Sequence, residues 1–211
     1  MFDKRIKLAL VALSWLLTAF FWSRLPALVP THWGISGQPD GWMPLPWGGL
    51  IGALVTTFLS LIFLLLPVVD PRGEHWKQFK ESYEFIVLAT LSFTTFLTWL
   101  TLSTAVRGGE LSVSQLLVGI GIVFMIMGNY LPKLRSNFFI GIRSPWTLSS
   151  EEVWYRTHRL AGKLMFAMGL VLLLASFASR LWQVYLVFGS LALFATWSIG
   201  YSFWLYKKIS R

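Results

Sequence analysis

The sequence predicts an all-α integral membrane protein with six transmembrane helices. The chain of 211 residues is 55% hydrophobic and only 13% charged, and its mean hydropathy is positive. A soluble domain has about one charged residue in four. A helix needs about 20 mainly apolar residues to cross a bilayer, and six stretches of the chain meet that requirement. They lie at about residues 6–23, 47–69, 84–104, 112–131, 163–179 and 181–206.

Lysine and arginine lie almost entirely on one side of these spans. The larger group is Lys4, Arg5, Lys7, Arg72, Lys77, Lys80, Lys133, Arg135, Arg143, Arg156, Arg159, Lys163, Lys207, Lys208 and Arg211, and the other side has Arg24, Arg107 and Arg180. Because cations accumulate on cytoplasmic loops, this distribution predicts a multi-pass protein of the cell membrane with both termini in the cytoplasm. The same rule accounts for the net charge of +9 without nucleic acid as a partner.

Several kinds of chemistry are disfavoured by what the sequence lacks. Without cysteine there is no disulfide, thiolate nucleophile or cysteine metal site. Ion-coupled transporters usually carry an ionisable residue in the middle of the membrane. The predicted spans have no such residue there, since Glu84 lies at the start of the third span, and this disfavours an ion-coupled transporter. No P-loop, dinucleotide fingerprint or HExxH motif is present. We therefore predict no catalytic residue, no metal site and no cofactor.

The first outer loop, residues 23–49, reads "SRLPALVPTHWGISGQPDGWMPLPWGG". Proline fixes φ and glycine permits positive φ, so we expect a series of defined turns, including a β-turn at Gln38–Gly41. Its tryptophans Trp33, Trp42 and Trp47 suit either an aromatic belt at the membrane interface or a shaped pocket or lid for a peptide or lipid. The pattern predicts a structured outer loop.

His32 and Asp40 are the titratable groups of this loop besides Arg24. They could supply two metal ligands, whereas a structural zinc site normally takes four. We therefore expect that they cap turns or hydrogen-bond to each other.

The inner loop from Asn129 to Lys163 interrupts the apolar pattern with turn residues and charges. Pro132 ends or kinks the fourth helix. Ser149 and Glu152 have the spacing of a capping box, which predicts a new helix at "SSEE". That helix is expected to run directly into the fifth span, as a cytoplasmic amphipathic segment.

Helical spacing sorts the residues that follow into two stripes. Trp154, His158 and Ala161 form one, and a basic stripe lies beside it (Arg156, Arg159 and Lys163). One interpretation is a connector whose basic stripe faces lipid headgroups. The other is a polar site for an anionic headgroup or a protein partner, in which Arg143 forms a bidentate contact. The candidate residues of that site are Asn129, Asn137, Arg143, Trp146, Thr147, Trp154 and His158.

Two stretches carry a family resemblance. "GNYLPKLRSNFFIGIRSPWTLSSEEVWYRTHRLAGKL" resembles the signature region of the SdpI family of bacterial membrane proteins, and "LPALVPTHWGISGQPDGW" resembles the domain of unknown function that commonly precedes it. The resemblance implies an N-terminal membrane domain at 1–110 with spans one to three, and an SdpI-like domain at 111–211 with spans four to six. The matching signature positions are Asn129, Pro132, Asn137, Gly141, Arg143, Trp146, Thr147, Trp154, Thr157, His158 and Gly162.

The resemblance also implies a function. Such a protein confers immunity to a secreted, membrane-active peptide toxin and signals by holding a small transcriptional repressor at the membrane. The outer-loop positions that match the family, and that would face the toxin, are Pro30, His32, Trp33, Gly37, Pro39 and Asp40. The alternative is a lipid-handling protein, either an enzyme or a transporter that acts on a lipid-linked anionic substrate.

The topology can be tested by cysteine labelling. We expect Ser36→Cys to react with an impermeant reagent in intact cells and Ser149→Cys to react only after permeabilisation, because the cation distribution places residue 36 outside and residue 149 inside. Labelling of Ser149→Cys in intact cells would contradict the predicted orientation.

Overall fold

The computed structural model describes residues 4–210, so Arg211, counted among the cations, lies outside the described residues. The elements in chain order are α1 (Lys4–Phe21), β1 (Leu28–Trp33), β2 (Pro39–Pro44), α2 (Trp47–Val69), α3 (Gly73–Trp76), α4 (Lys80–Val106), α5 (Val113–Tyr130), α6 (Pro145–Ser149), α7 (Glu151–Ala175) and α8 (Arg180–Ile209). Within this range six helices, all but α3 and α6, are long and apolar enough to cross a membrane. The prediction of six spans is confirmed, and the orientation of the termini stays a prediction.

The six long helices pack in two groups of three. Helices α1, α2 and α4 contact one another, α7 lies between α5 and α8, and α4 joins the groups through its contact with α5. The most extensive interface is that of α5 with α7. The predicted domain division at residue 110 stays a prediction.

Two pairs of glycines let α5 and α7 approach to backbone contact. A Cβ on Gly128 would lie 2.5 Å from the amide nitrogen of Phe166 and 2.7 Å from the carbonyl oxygen of Gly162. A Cβ on Gly121 would lie 2.7 Å from the carbonyl oxygen of Gly169. In each helix the glycines are seven residues apart, which places them on one face. Such small residues suit a membrane, where helices associate largely through close packing.

The first loop contains a β-hairpin rather than a series of turns, since β1 and β2 pair antiparallel. The predicted β-turn at Gln38–Gly41 is wrong, because Pro39 to Gly41 belong to β2. The chain reverses earlier: the amide of Gly37 donates to the carbonyl of Gly34 at 2.9 Å. Gly37 has a φ of 79°, a left-handed conformation that glycine adopts readily.

Three contacts tie the hairpin to the helices. The indole of Trp33 donates to the carbonyl of Gly109 at 2.7 Å. The amide of Leu111 donates to the carbonyl of Gly37 at 2.9 Å, and the guanidinium of Arg180 donates to the carbonyl of Ile35. The hairpin is therefore held by the link between α4 and α5 and by the first residue of α8. We call this end of the molecule the hairpin end.

At the opposite end, residues 131–150 connect α5 to α7, and we call them the connector segment. The predicted cap at Ser149 is wrong: Ser150 caps α7 by accepting from the amide of Val153 at 3.3 Å. Ser149 instead ends the short helix α6, whose capping box is formed by Ser144 and Thr147. Helix α7 is continuous from Glu151 to Ala175, so the predicted passage of this helix into the fifth span is confirmed.

The predicted fifth and sixth spans, at about 163–179 and 181–206, leave little more than Arg180 to join them, and the structure differs from that prediction. The fifth helix ends at Ala175 and Arg180 is the first residue of α8, so residues 176–179 form the connection. Within this connection the amides of Phe177 and Ala178 each donate to the carbonyl three residues earlier in the chain. This is the hydrogen-bond pattern of a 3₁₀ turn, which is tighter than the α-helix that precedes it.

The glycine contact predicts a specific destabilisation. We expect Gly128→Ala to lower the free energy of unfolding by about 1–3 kcal/mol, because its Cβ would meet backbone atoms that cannot move independently. Gly200→Ala is the matched control, since nothing lies within 4 Å of its Cβ position. Thermal unfolding in detergent measures both. Equal midpoints for the two variants would contradict the proposed packing.

Candidate functional site

The connector segment folds around the buried amide of Asn137. The side-chain nitrogen donates to the carbonyls of Arg135 and Ile140 at 2.9 and 3.0 Å. The side-chain oxygen accepts from the amides of Phe139 and Ile140 at 2.9 and 2.7 Å. Because both ends of the amide are satisfied by its own loop, Asn137 shapes the segment from within.

His158, in α7, holds the connector segment at Ile142. The amide of Ile142 donates to His158 Nε2 at 2.9 Å, and His158 Nδ1 lies 2.8 Å from the carbonyl of Trp154. These partners require a neutral ring with its proton on Nδ1. Gly141 has a φ of 113°, and a Cβ there would fall on His158 Nε2. The Nε2 lone pair is therefore occupied and is not free to abstract a proton.

Two more of the predicted site residues are buried and hold the segment in place. The indole of Trp154 donates to the carbonyl of Leu134 at 2.8 Å, and its ring stacks on His158 with centroids 4.0 Å apart. The hydroxyl of Thr147 donates to the carbonyl of Ile142 at 2.7 Å. Ser144, in turn, lies 3.2 Å from the hydroxyl of Ser202 in α8. Asn137, Thr147, Trp154 and His158 thus position the connector segment against the long helices.

Sequence reasoning missed the residues that clamp the segment from its other side. Arg72, between α2 and α3, donates to the hydroxyl of Ser136 and, at 2.8 Å, to the carbonyl of Leu148. Its guanidinium lies 4.9 Å from the centroid of the Phe138 ring. The carboxylate of Asp70 accepts from the amide of Phe138 at 3.0 Å. These partners lie more than 60 residues away in the sequence, and no local pattern relates such distant positions.

His75 in α3 completes the clamp. Its Nδ1 lies 2.7 Å from the carbonyl of Ser136, and Ser136 itself is buried. Three residues from one short link therefore contact the connector segment, which is also held by α7. The only local signal for this arrangement is the density of polar residues in "DPRGEH" at 70–75.

The remaining predicted residues lie at or near the surface. Arg143 is exposed, and its guanidinium donates once, to the carbonyl of Phe138 at 2.7 Å. Trp146 is half-buried against Phe203, with ring centroids 4.9 Å apart. Asn129 is exposed in the last turn of α5. We use the term connector face for the exposed side chains Arg135, Phe138 and Arg143.

Both stripes predicted on the helix after the connector are present. Trp154, His158 and Ala161 are buried, and Arg156, Arg159 and Lys163 are exposed. Glu152 partners Arg156 one turn along, at 2.5 Å. The buried stripe thus faces protein, while the basic stripe faces the surroundings.

The hairpin end carries the other candidate residues. His32 Nδ1 and Asp40 Oδ1 are 2.5 Å apart across the two strands, which confirms the expected hydrogen bond, and both side chains are exposed. Trp33 and Pro39 are half-buried, whereas Pro30 and Gly37 are buried. Among residues 4–210 no group of three or more His, Asp or Glu could hold a metal ion.

Comparison with known proteins gives a consistent result along the chain. The family described as the SdpI/YfhL protein family matches residues 133–202, and a domain of unknown function, DUF1648, matches residues 9–57. Immunity protein SdpI from Bacillus subtilis (strain 168) is 26% identical over 208 residues, which covers 97% of this chain and 96% of that protein. No solved structure gives a significant match.

The burial difference between two asparagines predicts different responses to substitution. Asn137→Ala leaves buried backbone groups of the connector segment without partners, at a cost of about 1–3 kcal/mol for each unsatisfied group. We therefore expect faster amide exchange at Phe139 and Ile140 and faster proteolysis within residues 131–150.

Asn129→Ala is the matched control for this experiment, because Asn129 is exposed on α5. Its connector segment should exchange at the wild-type rate. Unchanged exchange in Asn137→Ala would contradict the role assigned to the buried amide.

Proposed function

We propose that the chain is a member of the SdpI/YfhL protein family, whose model it matches at residues 133–202, and that it confers immunity to a secreted, membrane-active peptide toxin. The observation that carries this proposal is the similarity to a protein named an immunity protein, which extends over 97% of the chain. Two separate matches, one at each half of the chain, support it. The protein acts by binding, without chemistry of its own.

The proposed toxin-binding surface is the hairpin end. Its exposed groups include the His32–Asp40 pair and the apolar side chains of Ile35 and Trp42, which are 65% and 53% exposed. An apolar peptide that approaches along the bilayer would meet these groups near the membrane surface. The contacts of Trp33 and Gly37 with the link between α4 and α5 limit the entropy that the hairpin loses on binding.

The proposed partner-binding surface is the connector face, which the cation distribution predicts to be cytoplasmic. It combines two guanidinium groups with the Phe138 ring, which is 40% exposed. Arg143 uses one donor on Phe138 and has others left for a carboxylate of a small repressor. The buried residues of the connector segment take part only by holding this face in shape.

Helix α5 is the element through which toxin binding would change the connector face. Its preceding link carries Gly109 and Leu111, which contact the hairpin, and the connector segment follows its last turn. A shift of α5 along α7 would alter both ends together. This proposal requires two arrangements of the α5–α7 interface with different affinity for toxin.

The lipid-handling alternative lacks a specific supporting contact. Arg143 could bind an anionic substrate, but the nearby titratable group, His158, has both ring nitrogens engaged. A survival assay in toxin-sensitive cells separates the two functions, since a lipid-handling protein would not restore survival or membrane potential.

Substitutions on the two surfaces should affect the two functions separately. We expect Asp40→Ala to reduce the survival of cells exposed to the toxin, because the substitution removes the partner of His32 on the hairpin. Recruitment of the repressor to the membrane should stay intact. We expect Arg143→Lys to reduce recruitment about tenfold, since lysine keeps the charge but loses the planar fork. Cell survival, membrane potential and membrane recruitment of the repressor are measured at equal protein abundance.

Arg156→Lys provides the matched control for the connector face. Arg156 is exposed on α7 and pairs with Glu152, and lysine can maintain both that pair and attraction to headgroups. If Arg143→Lys behaves as wild type in both assays while Arg156→Lys fails, the partner surface lies on α7 instead.

A further inference from the structure

A basic cavity lies between α7 and α8, at the end of the molecule that carries the connector segment. It has a volume of about 420 Å³. Its charged lining is Arg156, Arg159 and Lys163, the basic stripe of α7, together with Glu152, and α8 contributes Tyr201. Because a second helix supplies part of the wall, the stripe forms one side of an enclosed site as well as an exposed face.

The cavity has a surplus of positive charge. Arg156 donates to the carboxylate of Glu152 at 2.5 Å, so these two charges offset each other. Arg159 donates to the hydroxyl of Tyr155 at 3.3 Å, which is a neutral partner. Among residues 4–210, neither Arg159 nor Lys163 forms a salt bridge with a carboxylate. Two cations therefore line the cavity without an anion to balance them.

The uncompensated groups are donors that suit a phosphate. Arg159 and Lys163 are four residues apart and exposed, so their side chains lie on one face of α7. Tyr201 is half-buried, and its ring lies 5.7 Å from that of Trp204. A guanidinium, an ammonium and a phenol can all donate hydrogen bonds, and charged donors bind phosphate oxygens strongly.

An exposed apolar stripe continues the same face of α7 beyond the cations. Phe166 and Leu170 follow Lys163 by three and seven residues and are 43% and 42% exposed. Leu174, one turn further, is 62% exposed. At 1.5 Å per residue these three side chains cover about 12 Å of the helix. A polar site that continues into an apolar stripe matches a phospholipid, in which the phosphate is joined to hydrocarbon chains.

We propose that the cavity between α7 and α8 binds the phosphate of one anionic phospholipid. Arg159 and Lys163 hold the phosphate from α7, the hydroxyl of Tyr201 donates to it from α8, and an acyl chain lies along Phe166 and Leu170. Basic pockets between membrane helices suit such headgroups. A zwitterionic headgroup carries its own cation and gains less from the surplus charge. The lipid stays chemically unchanged, and the site is separate from the hairpin end and the connector face.

The test begins with the full chain in nanodiscs that contain equal amounts of phosphatidylglycerol and phosphatidylcholine. Native mass spectrometry, after transfer to a mild detergent, measures the lipid that stays bound. We expect phosphatidylglycerol to be retained preferentially, by about fivefold for each cation that contacts its phosphate. The double variant Arg159→Gln/Lys163→Gln should bring the ratio of the two lipids close to one.

Lys207→Gln/Lys208→Gln is the matched control for charge. It removes the same charge from the same end of the molecule, because both lysines are exposed in the last turn of α8. They lie over the rings of Phe203 and Trp204 and do not line the cavity. This variant should keep the wild-type lipid ratio. Equal loss in the two double variants, or a wild-type ratio in both, would show that no specific site lies between α7 and α8.

A second pair of variants tests the contribution of α8. Tyr201→Phe keeps the ring and removes the hydroxyl, so we expect about tenfold weaker retention of phosphatidylglycerol. Tyr185→Phe is its control, since Tyr185 is 62% exposed on α8 and does not line the cavity. If Tyr201→Phe retains as much lipid as Tyr185→Phe, the phosphate does not lie between the two helices and the proposal is wrong.

Inorganic phosphate distinguishes a free anion from a lipid headgroup. Thermal unfolding of the delipidated full chain in detergent is measured with phosphatidylglycerol or with millimolar inorganic phosphate. We expect only the lipid to raise the midpoint of the wild-type protein, and we expect no rise in Arg159→Gln/Lys163→Gln. A rise with inorganic phosphate alone would contradict the assignment of the site to a lipid.

Discussion

The backbone contact between α5 and α7 is the constraint on which the rest of the structure depends. Lipid offers little hydrophobic force between helices, so their association relies on close packing, and the paired glycines supply it. The same contact determines where the chain leaves α5 and where it returns. Pro132 packs against Gly162, where a Cβ would lie 2.5 Å from the proline ring. The connector segment is therefore folded into a space that these helices define.

Within that space the polar groups are satisfied by one another. A buried polar group without a partner is costly, and Asn137 and His158 each meet this cost by binding backbone groups of the connector segment. Arg72 adds contacts from the opposite side. This arrangement separates two roles that a list of polar residues does not distinguish. Buried residues set the shape of the connector face, and exposed residues such as Arg143 are available to a partner.

Helix α5 is in contact with the chain at both ends of the molecule. The hairpin depends on the link before α5, through Gly109 and Leu111, and the connector segment begins where α5 ends. The hairpin and the connector segment therefore share α5. An apolar groove of about 550 Å³ lies on a different face of the same helix, between α5 and α4.

The sequence by itself determined the features that depend on local pattern. Apolar length predicted the six spans, and helical spacing predicted the buried and basic stripes that follow Glu151. The prediction from sequence placed the helix cap one residue early and the hairpin turn four residues late. Several neighbouring serines, glycines and prolines suit a cap or a turn equally well, so the local pattern does not select one of them. Only the tertiary structure decided that Gly128 meets Gly162, that Arg72 holds Ser136, and that Asn137 is buried while Asn129 is exposed. These choices depend on which distant segments come into contact, and a residue's type and neighbours in sequence do not specify its partner in space.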